Sequence, residues 1–301
     1  MGISQYLKEI GRGSRGARPL ARAQAADLFG QVLDGTVSDL EVGAFCIAMR
    51  VKGETPEEMC GFLDATHARL ARAVSASGRT VVVLPSYNGA RRLPVLTPLL
   101  AALVARRGLP VLVHGTTTEA TRVAVREVLQ ALDVAPAQTV PVLRDGELAF
   151  VPTELLCPGL KRLLDVRTVI GVRNSAHSVV KLMNPCEGPA LVVGSYTHPE
   201  YAQSMAAVFE QMRATALLLR GTEGEAVADA RRLPQMEGFV RGERVLLQEA
   251  RRGTLAELPE LPREVDPQAT AAYVRDVLEG RKPVPEALQL QVEHILRLAS
   301  A

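Results

Sequence analysis

Beyond residue 80, short runs of aliphatic and β-branched residues alternate with longer helical patterns, and this alternation is the strongest constraint on the fold. The predicted strands cover 81–84, 111–113, 191–193 and 216–219, and the helical patterns cover 96–107, 119–132 and 199–212. Parallel strands need a long crossover, which is usually a helix. The pattern therefore predicts an α/β fold with a mainly parallel central sheet that helices cover on both faces.

Residues 1–75 carry the signals of helices instead of strands. A helical pattern covers 21–33, and Thr55-Pro56 is a strong start for a further helix that runs towards residue 74. Residues 75–78 are small and mostly polar, as in a linker. Helical patterns recur over 154–183.

Between the first two of these helices, Ser38 and Glu41 have the spacing of a capping box. An apolar face then follows at helical spacing, formed by Leu40, Ala44, Ile47 and Val51. This spacing predicts an amphipathic helix over the same residues.

Two domains follow from these patterns. A small helical N-terminal domain over 1–75, completed by helices from about 154–183, should pack on a larger α/β domain over 79–301. Near the end of the chain, 234–265 should form short antiparallel strands and loops. Open α/β sheets bind ligands at the carboxyl ends of their strands. We therefore expect a pocket between the domains, at the loops 85–90 and 114–118.

Composition and motifs exclude several classes of protein. Of the 301 residues, 47% are hydrophobic and 23% are charged, which is typical of a soluble globular protein. No apolar run is long enough to span a membrane, and no signal peptide is visible. The scattered cysteines predict free thiols in a reducing cytoplasm. The histidines show no metal-ligand spacing, and the motifs of P-loop, zinc-protease and serine-hydrolase enzymes are absent.

The loops after two predicted strands carry a family resemblance. They read Pro85-Ser86-Tyr87-Asn88-Gly89-Ala90 and His114-Gly115-Thr116-Thr117-Thr118, and Gly171-Val172-Arg173 and Leu182-Met183-Asn184-Pro185 follow later. With the helical domain before them, these segments resemble the anthranilate phosphoribosyltransferases (glycosyltransferase family 3) over nearly the whole chain. In that family, a G-T-G-G-D loop holds the pyrophosphate of phosphoribosyl pyrophosphate, and a K-H-G-N-R loop reaches both substrates. The resemblance thus implies a Mg²⁺-dependent phosphoribosyl transfer.

This chain departs from both family loops. Pro85-Ser86-Tyr87-Asn88-Gly89 replaces the glycine-rich loop, and in the second loop only His114-Gly115 persist, with Val113 in the place of the lysine. The family's magnesium-binding acids should fall near Glu223 and Glu225, which alternate instead of adjoining and are weaker metal candidates. Proline lacks an amide and valine carries no charge, so these changes argue against pyrophosphate chemistry. The sequence therefore favours a protein without catalytic activity. If the protein is an enzyme, we expect it to be a phosphoribosyltransferase.

The replacing residues resemble another branch of the same fold, the YbiB-type proteins. The matching stretches are 8–13, 85–91, 113–115, 171–177 and 221–225. That branch implies a homodimer that binds nucleic acid with little sequence preference and without a cofactor. Under this resemblance, only a residual ligand pocket remains, at Ser86, Tyr87, Asn88, Gly89, His114, Gly115 and Asn174.

The net charge is only +2, but basic residues cluster locally. The predicted contacts to DNA or RNA are Lys161, Arg162, Arg167, Arg173 and Lys181, together with Lys8, Arg12, Arg15 and Arg18. On one helix, Arg173, His177 and Lys181 would share a face because they lie four residues apart. Such a face suits phosphates, since each neutralised phosphate releases counterions. Aromatic residues are too few to favour base stacking.

Three functions remain open at this point. The sequence favours non-catalytic, sequence-nonspecific binding of DNA or RNA. The first alternative is phosphoribosyl transfer to anthranilate or another aromatic acceptor, with Mg²⁺ and phosphoribosyl pyrophosphate. The second is a protein-interaction module built from the helical domain. His114 is either a general acid or base or a structural histidine, because its ordinary pKa is close to neutral.

Overall fold

The computed structural model describes residues 2–13, 15–251, 253 and 258–301. The helices are α1 Ser4–Ile10, α2 Arg22–Asp34, α3 Asp39–Lys52, α4 Pro56–His67, α5 Thr97–Arg106, α6 Val125–Ala131, α7 Thr153–Leu156, α8 Pro158–Ile170, α9 Ala176–Val179, α10 Pro199–Gln211, α11 Pro267–Leu278 and α12 Glu286–Ala299. The strands are β1 Ala73–Ser75, β2 Val81–Ser86, β3 Val111–Gly115, β4 Val142–Leu143, β5 Leu148–Pro152, β6 Cys186–Glu187, β7 Ala190–Tyr196, β8 Ala216–Arg220, β9 Met236–Val240 and β10 Glu243–Gln248.

The chain divides into two compact units. The helical unit consists of Met1–Ala71 and Thr153–Pro185, and the α/β unit consists of Arg72–Pro152 and Cys186–Ala301. The predicted fold class, a helical N-terminal domain and a larger α/β domain with a mostly parallel sheet, is confirmed. The helix expected to run towards residue 74 ends at His67 instead, and β1 belongs to the α/β unit.

The main sheet of the α/β unit has the strand order β10-β9-β8-β7-β2-β3-β5. The strands from β8 to β5 are parallel, and β9 and β10 extend the sheet at one edge in antiparallel pairs. These two strands confirm the short antiparallel strands predicted within 234–265. Residues 252 and 254–257 of that range lie outside the described residues. A second, three-stranded sheet in the order β4-β1-β6 was not predicted, because its strands are only two or three residues long.

The helical unit packs around three aromatic rings from α2, α3 and α4. The centroid of Phe29 lies 4.6 Å from that of Phe62 and 6.1 Å from that of Phe45. The predicted capping box of Ser38 and Glu41 is present at the start of α3. These contacts fix the first part of the chain as a compact helical core.

Two predicted helices are shorter in the structure. The pattern over 119–132 gives only α6, because the backbone of Val123 pairs with that of Ala90 in a β-bridge. The pattern over 154–183 breaks into α7, α8 and α9, with Gly171 in the left-handed conformation at the end of α8. Arg173 and Lys181 therefore lie on either side of the four-residue α9, and the predicted shared helical face does not form.

The apolar stripe of α3 faces away from the core. Leu40 is 84% exposed and Val51 is 63% exposed, whereas the helix buries Phe45, Cys46 and Met49. The stripe at helical spacing is thus real, but it has no partner among the described residues of the chain. Where the chain is described, its cysteines are buried and form no disulfide, and no helix could cross a membrane.

Candidate functional site

The two predicted loops lie at the carboxyl ends of neighbouring parallel strands. Ser86 is the last residue of β2 and is paired with Gly115 at the end of β3. A Cβ on Gly115 would lie 1.9 Å from the carbonyl oxygen of Ser86, so only glycine permits this approach. Thr118 donates a hydrogen bond from its hydroxyl to the Tyr87 carbonyl at 2.6 Å and ties the second loop to the first.

The loop after β2 is held by a carboxylate that comes from the segment after β8. Oε1 of Glu225 accepts hydrogen bonds from the backbone amides of Asn88 and Gly89, both at 2.8 Å. The side chain is 1% exposed. Its other oxygen, Oε2, is buried and has no hydrogen-bond partner among the described residues.

A second carboxylate holds the next amides of the same loop. Glu223 accepts hydrogen bonds from the backbone amides of Arg91 at 2.6 Å and Arg92 at 3.2 Å. Its carbonyl oxygen accepts a further bond from the side-chain amide of Asn88 at 2.9 Å. Gly224 makes this possible: its φ is +88°, and a Cβ there would lie 1.7 Å from Nδ2 of Asn88.

Tyr87 and His114 form a buried pair beneath the loops. The Tyr87 hydroxyl lies 2.8 Å from Nδ1 of His114, and the histidine is fully buried. Burial lowers the pKa of His114 to about 3, so the imidazole is neutral at physiological pH. Of the two roles left open above, this geometry fits the structural one, because a neutral, enclosed ring cannot exchange protons with solvent.

The loop amides together form a binding site for an anion, and carboxylates of the protein itself occupy this site. Amides that converge at the end of a strand bind phosphate or carboxylate oxygens. Carboxylate oxygens are in turn the ligands that Mg²⁺ prefers. The two acids near the loop therefore carry the type of oxygen that suits a magnesium ion. Oε2 of Glu225 is such an oxygen, and it has no protein partner among the described residues. No group of three or more His, Cys, Asp or Glu side chains that could hold a metal occurs within the described ranges.

Asn174, the remaining predicted pocket residue, belongs to the helical unit and is engaged within it. Its side-chain amide donates to the carbonyl of Leu163 at 2.7 Å, and its Oδ1 accepts from the amide of Ala176 at 3.1 Å. These bonds fasten the end of α8 to α9. They give Asn174 a structural role, and its part in a pocket between the units stays a prediction.

At least three of the predicted phosphate contacts are used inside the helical unit. Lys161 forms an ion pair with Asp165 at 2.5 Å, and Arg12 forms one with Glu9 at 2.7 Å. Nη2 of Arg162 donates to the carbonyl of Leu33 at 2.8 Å. Because these contacts occupy their charged groups, the three residues are weaker candidates for phosphate than the sequence indicated.

Arg167, Arg173 and Lys181 all act electrostatically on His177, although they do not share a helix. Burial lowers the pKa of His177 to about 4, and the positive charges of Arg173, Arg167 and Lys181 act in the same direction. The three cations therefore produce a positive field at one place in the helical unit. Lys8, Arg15 and Arg18 are exposed in the N-terminal segment.

Sequence reasoning missed the role of Glu223 and Glu225 as partners of the loop amides. The signal was present in two places: a loop without its usual glycines, and two acids spaced by one glycine after β8. It also missed the arginines that follow β8 and β9, because the basic clusters that stand out in the sequence lie elsewhere.

Comparison with known proteins places the chain in context. The model of the glycosyl transferase family helical bundle domain matches residues 4–69. The chain is 39% identical over 298 residues to the uncharacterized protein YbiB of Escherichia coli (strain K12), covering 97% of this chain and 92% of that protein. It is 27% identical to an anthranilate phosphoribosyltransferase of Bradyrhizobium sp. (strain BTAi1 / ATCC BAA-1182), covering 71% of this chain and 64% of that protein.

Solved structures share the fold. Anthranilate phosphoribosyltransferase from Thermus thermophilus superposes with a TM-score of 0.70 at 21% identity, covering 96% of this chain and 85% of that chain. The enzyme from Saccharomyces cerevisiae, in complex with phosphoribosyl pyrophosphate (PRPP) and Mg, gives a TM-score of 0.71 at 13% identity, covering 99% and 88%.

Proposed function

Since this chain belongs to the family of the Escherichia coli protein YbiB, among proteins with the anthranilate phosphoribosyltransferase fold, we propose that its α/β unit binds phosphoribosyl pyrophosphate with Mg²⁺ and transfers the phosphoribosyl group to an aromatic acceptor such as anthranilate. This was the first alternative from the sequence. The similar proteins favour it over nucleic-acid binding, because several of them are phosphoribosyltransferases by name.

One observation carries the proposal: the loop amides and the acids lie against each other. The amides of Asn88, Gly89 and Arg91 donate to carboxylate oxygens of Glu223 and Glu225 at 2.6–2.8 Å. A bound diphosphate would accept these amide hydrogen bonds in place of the carboxylates. The released carboxylates would then hold Mg²⁺ beside the diphosphate. When bound, the cation would supply charge stabilisation for the pyrophosphate leaving group.

The rest of the site sets the expected strength of binding. Val113 is buried in β3 where the related enzymes place a lysine, so the chain supplies no cation there. His114 is neutral, enclosed and bonded to Tyr87, and it contributes no proton transfer. Binding therefore depends on the loop amides and the two acids, and we expect it to be weak without Mg²⁺ and transfer to be slow.

Calorimetry tests this directly. Phosphoribosyl pyrophosphate titrated into the full chain should release heat in the presence of Mg²⁺ and almost none in EDTA. The variant Glu225→Gln should lose the magnesium dependence, because a neutral amide is a poor ligand for the cation. Glu243→Gln, at an exposed acid on β10, serves as the matched control. If millimolar ligand with Mg²⁺ produces no binding heat in the parent protein, the proposal is wrong.

A second candidate function, binding of DNA or RNA through phosphates, rests on a different observation. Arg167, Arg173 and Lys181 all act on His177, so three positive charges lie within electrostatic range of one residue of the helical unit. Converging cations attract a polyanion without reading its sequence. An electrophoretic shift assay with unrelated duplexes of equal length separates the two candidates, since phosphoribosyl transfer predicts no shift.

A further inference from the structure

A cavity of about 840 Å³ opens in the α/β unit at the carboxyl ends of β7 and β8. Its wall includes Tyr196, Thr197 and His198 after β7, Arg220 at the end of β8, and the segment 231–235. It adjoins the loop site through Glu223 but does not include the amides of Asn88 and Gly89. Carboxyl ends of parallel strands are where α/β sheets bind ligands, so this cavity lies at a suitable position for one.

The cavity wall carries more positive than negative charge. The arginines that line it are Arg220, Arg231, Arg232, Arg244 and Arg251, and the acids are Glu223, Asp229 and Glu237. Two of these acids are already paired: Asp229 with Arg231 at 2.9 Å and Glu237 with Arg244 at 2.7 Å. The third, Glu223, accepts its hydrogen bonds from backbone amides of the loop.

Three of the arginines remain for a ligand. Within the ranges that the structure describes, Arg220, Arg232 and Arg251 form no ion pair with a carboxylate. Each is exposed and each lines the cavity. A guanidinium group binds phosphate with two parallel hydrogen bonds, which makes arginine better suited to this task than lysine.

Other features of the wall narrow the chemical class of the ligand. The 13-residue helix α10 begins at Pro199 on the wall, and its first amides add positive potential there. Leu93, Leu233 and Pro234 provide an apolar part beside the arginines. Polar and apolar walls in one cavity of this size suit a compact organic molecule that bears a phosphate group.

The geometry points to a second anion site in this cavity, which takes a phosphate monoester such as a sugar phosphate or a nucleoside monophosphate. Arg220 and Arg232 hold the phosphate, and the apolar wall covers the organic part. The site goes beyond the proposed transfer reaction, because it uses neither the loop amides nor a metal.

Calorimetry or ligand-detected NMR in EDTA, with AMP and ribose 5-phosphate as probes, tests the site. EDTA removes the magnesium on which the loop site depends, so the two proposals fail or succeed separately. Both phosphates should bind to the full chain, and uncharged adenosine should bind at least tenfold more weakly. The double variant Arg220→Gln/Arg232→Gln should weaken both phosphates by about a hundredfold, at about tenfold for each charge-assisted hydrogen bond that it removes.

Two controls keep the result interpretable. Arg126→Gln/Arg144→Gln removes two exposed arginines of the same unit that do not line the cavity, and it should leave binding unchanged. Thermal unfolding shows whether the double variant is folded, and the single variant Arg232→Gln, at an exposed position, should still weaken AMP about tenfold. The site does not exist if neither phosphate binds at millimolar concentration, or if the folded variants bind as tightly as the parent.

Discussion

Oε1 of Glu225 lies 2.8 Å from the backbone nitrogen of Asn88 and accepts its hydrogen bond. This contact joins the segment after β8 to the loop after β2, although the two residues are 137 positions apart in the chain. The carboxylate oxygen accepts two loop amides, as a phosphate oxygen does in a phosphate-binding loop. It therefore holds the backbone of the loop in place.

Removing this carboxylate should destabilise the α/β unit. Glu225→Ala leaves the buried amides of Asn88 and Gly89 without an acceptor, which costs about 1–3 kcal/mol for a buried group. Glu225→Gln retains an acceptor oxygen and should lose less. Urea denaturation followed by circular dichroism measures both, and Glu243→Ala at an exposed position should be neutral. A free energy of unfolding unchanged in Glu225→Ala would show that the two amides do not depend on this carboxylate.

The buried pair of Tyr87 and His114 predicts how stability depends on pH. The pKa of His114 is about 3 in the folded protein and about 6.5 in the unfolded chain. Below pH 6.5 the unfolded chain binds a proton that the folded protein does not, so His114 destabilises the fold progressively as pH falls towards 3. Its contribution to the slope is about 1.4 kcal/mol per pH unit between about pH 6 and pH 4.

His114→Gln should remove that contribution because glutamine does not titrate. Unfolding in urea at several pH values between about 4 and 7 gives the slope for parent and variant. The variant should have lower stability at neutral pH and a flatter dependence on pH. Equal slopes in the two proteins would mean that His114 binds its proton in the folded state as readily as in the unfolded one.

The main sheet could be predicted from the sequence because its strands are continuous aliphatic runs separated by helical patterns. Val81–Ser86 and Val111–Gly115 are fully buried strands, and such runs have few other interpretations. The three-stranded sheet could not be predicted in this way. Its strands β1, β4 and β6 come from distant parts of the chain and are too short to show a period.

The sequence could predict that the two loops follow adjacent strands, but not the contacts that the loops make. Spacing placed Tyr87 and His114 at the ends of adjacent strands, and the structure joins them by a hydrogen bond. Spacing could not show that Glu225 fills the loop, because that depends on a tertiary contact. It also gave a false shared face to Arg173 and Lys181, because helical periodicity alone does not reveal that Gly171 ends α8 and that α9 is only four residues long.

The exposed apolar face of α3 leads to a prediction about assembly. We propose that the homodimer expected from the sequence forms through this face, because Leu40, Ile47 and Val51 are 46–84% exposed on one helix. The double variant Leu40→Glu/Val51→Glu should convert dimer to monomer in sedimentation equilibrium. Removing each aliphatic side chain from an interface costs about 1.5–3 kcal/mol of association.

Val169→Glu is the matched control for this experiment. Val169 is 86% exposed on α8 and belongs to the same unit, so its replacement places one glutamate, against two in the double variant, at another exposed apolar position. It should leave the dimer intact. A parent protein that is monomeric at every concentration tested, or a double variant that dimerises as the parent does, would remove α3 as the interface.

The last prediction concerns nucleic acid and the three cations around His177. If they contact phosphates, the logarithm of the DNA affinity should fall linearly with the logarithm of the salt concentration, with a slope of about −0.9 for each phosphate contact. The triple variant Arg167→Ala/Arg173→Ala/Lys181→Ala should bind more weakly to all sequences and flatten the slope by up to about 2.7.

The control triple Arg107→Ala/Arg126→Ala/Arg144→Ala removes equal charge from exposed positions of the α/β unit and should keep the parent's slope. Equal flattening in both triples would mean that total charge, and not this cluster, governs binding. A parent protein that shifts no duplex even at low salt would leave phosphoribosyl transfer as the remaining candidate of the two.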